Sequence, residues 1–176
     1  MIKTAAILVL FCAGTLAVDR AIAAQPAADP WNALQFLLGT WEAKTQGGSA
    51  KAEGSGTYTF QLELRNHILA RHSGGEACRG PADFNCDHGD LLYIYRDAPG
   101  QPYKAIYFDN EGHVIHYGVT TPSASTVMFL SDASSQGPQF RLLYSLDGPI
   151  MSGKFQMRMP GQTEFSSYLE WSGAKK

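Results

Sequence analysis

The sequence predicts an all-β domain, an antiparallel up-and-down barrel of about ten strands closed by a short N-terminal helix, and three observations carry that expectation. Short runs rich in Tyr, Phe, Val and Ile succeed one another from Thr40 to the C-terminal region. The stretches between them, such as "DAPGQ", "DNEG", "TPSA", "SSQGP", "LDGP" and "MPGQ", are tight, and tight turns join antiparallel neighbours. No helical period of useful length follows Leu38, so no helix can cover the sheet, which must close on itself or stack on another sheet. A Greek-key sandwich would need at least one long connection over the top; sequential hairpins fit the barrel better.

The first segment, "MIKTAAILVLFCAGTLAVDRAIAAQ", has Lys3, an apolar core from Ala5 to Val18 and small residues at Ala21, Ala23 and Ala24. This is the pattern of a secretory signal peptide over residues 1–24, and cleavage is expected after Ala23 or Ala24. Phe11 before Cys12 does not suit a lipoprotein site, and no stretch reaches the roughly 20 apolar residues of a membrane span. Removing 24 of the 176 residues leaves 152, enough for one domain, 25–176, with a sizeable core. Periplasmic or secreted localisation follows.

"DPWNALQFLLGTW" then offers Asp29 as a helix cap, Pro30 at the first helical position and Leu34, Leu37 and Leu38 at helical spacing, with Gly39 as the stop. Strands are expected near 40–46, 55–64, 66–73, 89–96, 102–109, 113–120, 125–131, 138–145, 149–158 and 163–172. Tyr58, Phe60, Leu62 and Leu64 share one face of the second, and Phe165, Leu169 and Trp171 share one face of the last. The one long connection, Ser73 to His88, holds Cys78 and Cys86, the two cysteines that remain after signal removal. In an oxidising compartment so close a pair reads as a local disulfide, stabilising by about 2 to 3 kcal/mol on the chain-entropy model. A metal site using both thiols with His72 or His88 is the alternative. The loop reads either as a rim at one barrel mouth or as a decorated hairpin.

"FLLGTWEAK" places Gly39, Thr40 and Trp41 on the first strand after a short helix. This resembles the Gly-x-Trp signature of the calycins, the lipocalin and fatty-acid-binding barrels, in which the glycine turns the chain into the barrel and the indole plugs the closed end. "FLLGTWEAK", "GSGTYTFQLEL", "DLLYIYRD", "KAIYFDNEGHVIHY" and "GPQFRLLYSLDG" also resemble a family of exported bacterial proteins, a likeness that implies fold and location more than chemistry. The nitrobindin-like calycins ligate haem through a histidine late in the chain; here the last is His116, so no cofactor is expected.

The stretch "YFDNEGHVIHYGV" carries two of the five histidines. Asp109 to Gly112 suit a type I turn with Gly112 in the left-handed region. Alternation puts His113 and His116 on opposite faces, so they cannot share an ion. In the expected register His116 lies opposite Ala105, beside Tyr103 and Tyr107, and is a polar group for a barrel interior. His67 and His72 also fall on opposite faces, no Gly-x-Ser-x-Gly elbow exists, and Asp83, Asp87 and Asp90 read as solvated turn residues.

Tyrosine gives the most coherent signal, with eight in one domain and Arg96 and Arg141 in nearby strand runs. Aromatic walls with a few hydroxyl or guanidinium groups suit a largely apolar ligand with a polar head. The expected ligand-binding set is Trp41, Tyr58, His67, Tyr93, Tyr95, Tyr103, Tyr107, His116 and Arg141. Scattered charges, 14 basic against 16 acidic, argue against nucleic acid. The leading expectation is an exported barrel carrying a small, largely apolar molecule. Its competitors are an enzyme pairing His116 or His67 with a tyrosine, and a pocketless barrel that binds protein through its rim. The oligomeric state is not encoded in any pattern found.

Overall fold

The structure is a computed structural model that describes residues 29–176, so the expected signal peptide lies outside the described residues. A short 3-10 helix, Asn32–Leu37, leads into ten strands. They are β1 (Gly39–Gly47), β2 (Glu53–Glu63), β3 (Ile68–Arg79), β4 (Asp90–Tyr95), β5 (Lys104–Asp109), β6 (Val114–Ser123), β7 (Thr126–Ser131), β8 (Gln139–Asp147), β9 (Ile150–Arg158) and β10 (Ser166–Lys175). Each strand pairs antiparallel with its sequence neighbours, and β1 pairs with β10 to close the ring. Closure removes the two edges that an open sheet would expose.

One end of the barrel is plugged. Leu34 and Leu37 of the helix are fully buried, and Trp41 donates its indole N–H to the Leu37 carbonyl at 2.8 Å. Trp31 stacks on Tyr103 at 5.6 Å and donates to the Asn66 carbonyl at 2.8 Å, while Tyr103 bonds the Pro30 carbonyl. Asp29 accepts from the Trp31 amide at 2.9 Å, one residue ahead of the helix, so it fixes the approach to the helix instead of capping its first turn. Above this plug, Tyr144 meets Phe60, Phe129, Tyr58 and Trp171 edge-on or tilted at 5.3 to 6.3 Å. Each such ring contributes on the order of 2 kcal/mol by burial. The plugged half therefore carries the stability, and the other half is free to stay hollow. Eight strands enclose a bore that side chains just fill, and ten enclose more.

Three expectations are corrected. β3 runs on to Arg79, well past Ser73, because β2 begins at Glu53 and supplies partners as far as Glu53 opposite Arg79. The rim loop shrinks to 80–89 accordingly. The β5–β6 register is offset by one: Ala105 faces Tyr117 and His116 faces Ile106. The cause is the Asp109 side chain, which accepts from the amides of Glu111 at 3.0 Å and His113 at 2.9 Å and lengthens the turn, with Gly112 in the expected left-handed region at φ +89°. Finally, a bulge between Ser167 and Leu169 reverses parity in β10, so Leu169 and Trp171 point inward while Phe165 lies under the guanidinium of Arg141 at 4.1 Å.

Candidate functional site

The half of the barrel away from the helix holds a cavity of about 440 Å³. Side-chain alternation builds it from two unlike walls. Ile115 of β6, Phe140 and Leu142 of β8, Phe155 and Met157 of β9 and Leu169 and Trp171 of β10 make an apolar side. Phe140 and Phe155 stack at 5.6 Å. Trp171 can lie across the bore because β9 has glycine beneath it: a Cβ on Gly153 would sit 2.1 Å from the indole.

Across the bore, β3, β4 and β5 present charge on the inward parity. Arg71 is 5% exposed and bonds the Tyr144 hydroxyl and the Asp90 carboxylate. Asp90 also accepts from Ser73 at 2.8 Å. Burial alone would raise the Asp90 carboxyl, but Arg71, His88 and Ser73 outweigh it and hold the group well below the usual carboxylate range. Burial works against the Arg71 charge in turn, and Asp90 and Tyr144 overcome it. Burial pushes the phenols of Tyr107, Tyr117 and Tyr144 up, so all three stay protonated.

The rim loop 80–89 brings Phe84, Asn85 and His88 over the mouth. The Cys78–Cys86 disulfide, with Cα atoms 5.5 Å apart, ties it to the end of β3. Asn110 clasps its other side, donating to the Asp87 carbonyl at 2.7 Å and accepting from the Gly89 amide at 3.1 Å. His88 donates from Nδ1 to Glu111 at 2.8 Å and from Nε2 to the Tyr107 hydroxyl at 3.0 Å, with Asp90 3.5 Å from the same nitrogen. The Asp90 bond, opposed by partial burial and reinforced by Glu111, pushes His88 up to about 9. The Tyr107 hydroxyl donates a hydrogen bond to Asp109 at 3.2 Å, and His113 donates to the same carboxylate at 2.8 Å. Beside the loop a smaller lobe of about 220 Å³ runs along β1 to β3, where Gly54, Gly56, Gly74 and Gly75 leave the wall bare.

Of the nine residues expected to bind ligand, Tyr107 lines the main cavity and Tyr58 the smaller lobe. Trp41 and Tyr103 are buried at the plugged end. His116 is exposed on the outer face by the register offset, and His67 is exposed in the turn between β2 and β3. Tyr93 and Tyr95 share the outward parity of β4, where Tyr93 meets Phe108 at 6.4 Å. Arg141 bonds Gln156 at 2.8 Å. The structure thus brings neither His67 nor His116 to a tyrosine inside the bore. The polar wall of Arg71, His88 and Asp90 was outside the expected set, although Arg71 and Asp90 carry a signal: each occupies the parity of buried neighbours, Leu69 and Leu92.

Among the described residues, no three His, Cys, Asp or Glu side chains converge as metal ligands, and no helix is long and apolar enough to cross a membrane. The chain matches no protein-family model and no curated protein at a significant level of similarity.

Proposed function

We propose that this is an exported binding protein that carries or sequesters a small amphipathic molecule inside its barrel. The carrying observation is the cavity itself: a fold whose helix end buries Leu34, Leu37 and Trp41 leaves about 440 Å³ beside it, walled by aromatic and aliphatic side chains on one side and charge on the other. That size lies within the range of small-molecule sites, and few convergent polar groups on an apolar background are their usual lining. An apolar body against Phe140, Phe155 and Trp171 would leave a polar end facing Asp90, Tyr107 and Glu111. The Gly39-Thr40-Trp41 start, with its indole against the closing helix, supports the likeness to calycins, and the disulfide suits an oxidising compartment and hence export.

The protonation state of His88 favours a binding role for this residue over proton abstraction. With its pKa pushed up to about 9, His88 is held protonated at neutral pH. A general base needs the neutral ring. At neutral pH His88 therefore acts in the cluster as a hydrogen-bond donor.

Native mass spectrometry of protein purified gently from its producing cells tests the reading. A co-purifying small molecule is expected, and Ile115→Trp, which fills the cavity from a half-buried position, should cut occupancy at least tenfold with the far-ultraviolet circular dichroism unchanged. Equal occupancy in the filled variant would place the molecule elsewhere.

A further inference from the structure

Resting on the carriage reading above, we infer that the polar end of the ligand is a cation of the alkylammonium class, and that the cavity discriminates against a carboxylate on the same tail. The charged donors of the polar wall are largely turned to partners, although Arg71 Nε is enclosed without one among the described residues and the Tyr117 hydroxyl also faces the cavity. Arg71 is turned to Tyr144 and Asp90, both nitrogens of His88 to Glu111 and Tyr107, Tyr107 to Asp109, and His113 Nδ1 to Asp109.

The carboxylates keep acceptor capacity toward the cavity. The bonds to Glu111 from Asn85 and His88 both fall on Oε1, leaving Oε2 free among the described residues. Asp90 Oδ2 has the 3.5 Å approach of His88 as its ion-pair contact, and the Asp90 side chain keeps 12% of its surface exposed, toward the cavity it lines. Asp83 adds a further carboxylate at the rim.

The charge balance agrees. The main cavity is lined by the carboxylates of Asp83, Asp90, Asp109 and Glu111 against the guanidinium of Arg71 and the imidazolium of His88, and it stays net negative even with His113 counted as a cation. The smaller lobe adds Glu53 and Lys44, which cancel. Arg71 cannot serve an incoming carboxylate, because Asp90 already neutralises it from within hydrogen-bonding distance. An anion would meet net like charge in a partly desolvated site; an ammonium would meet Asp83 and the free Oε2 of Glu111. The apolar wall opposite is an independent feature that receives the tail.

Isothermal titration calorimetry at pH 7 with decylamine, decanol and decanoate, which share one tail, separates the possibilities. Decylamine should bind at least about tenfold more tightly than decanoate, with decanol between, a difference of the size one unscreened charge contact produces. The double variant Asp83→Asn/Glu111→Gln should narrow the gap severalfold. Decanol or decanoate binding as tightly as decylamine overturns the cation assignment and leaves carriage standing; an amine preference that the double variant does not change overturns its attribution to Asp83 and Glu111. No binding by any of the three overturns the carriage reading and this inference with it.

Discussion

Arg71 shows how one residue divides a barrel into a packed half and a hollow half. Its guanidinium sits at the floor of the cavity, joined to Tyr144 below and Asp90 above. Replacing it with alanine strands a carboxylate that is largely buried, and losing one partner of a buried pair costs about 3 to 5 kcal/mol. Urea unfolding of Arg71→Ala should therefore show a loss of that order, whereas a loss under 1 kcal/mol would mean that Asp90 finds water instead. His88 makes a second, pH-dependent contribution. Its folded pKa is raised from 6.5 to about 9 by Asp90 and Glu111, with Tyr107 as its other neighbour and Arg71 across Asp90. A raised pKa means that the stabilisation is complete below pH 6.5 and disappears as pH climbs through 9. With 36% of its side chain exposed, solvent screening limits the effect to under about 1 kcal/mol. Melting temperatures of the protein and of His88→Gln should differ at pH 6 and converge by pH 10; a gap that widens with pH would reverse the sign.

The rim loop is the element whose behaviour the site depends on most. Between β3 and β4 the loop is held covalently at Cys86 and by hydrogen bonds at Asn85, Asp87, His88 and Gly89, all to the β5–β6 turn or the strand below it. Cys78→Ser/Cys86→Ser removes the covalent tether, which closes a loop of eight residues' separation, and should cost about 2 to 3 kcal/mol. Its dissociation rate for decylamine, followed by stopped-flow Trp171 fluorescence, should rise. An unchanged rate would show that the loop does not limit exit. The strands themselves were legible in the sequence because their signal is local: alternation in β2 and tight turns from β4 onward name all ten. What escaped were the features fixed by contacts across the sheet. The Asp109 side chain decides the β5–β6 register by binding two amides, and a bulge in β10 reverses the parity of Phe165. Each moves a side chain from one face to the other, which is why His116 and the cavity exchanged places with expectation. The charged wall was hidden for another reason: Asp90 and His88 sit beside a turn-rich stretch where polar residues are the ordinary choice.

Taken as a whole molecule, the barrel offers two surfaces to an apolar guest, and only one of them is enclosed. The inner one is the cavity at the open end; the outer one is the face of β4 to β6, where Phe108 is 38% and Val114 54% exposed beside Tyr93 and Ile106. Area alone does not choose between them, but enclosure does, since a cavity removes most of a guest's surface from water and a convex barrel wall removes far less. A ¹H–¹⁵N correlation spectrum followed during titration with decylamine decides the matter directly. A guest held inside should move the amides of Ile115, Tyr117, Leu142, Phe155 and Trp171 while leaving Leu34 and Leu37 at the plugged end unmoved. Shifts gathered instead on Tyr93, Ile106, Phe108, Val114 and His116, or no shifts at all, would contradict carriage within the bore.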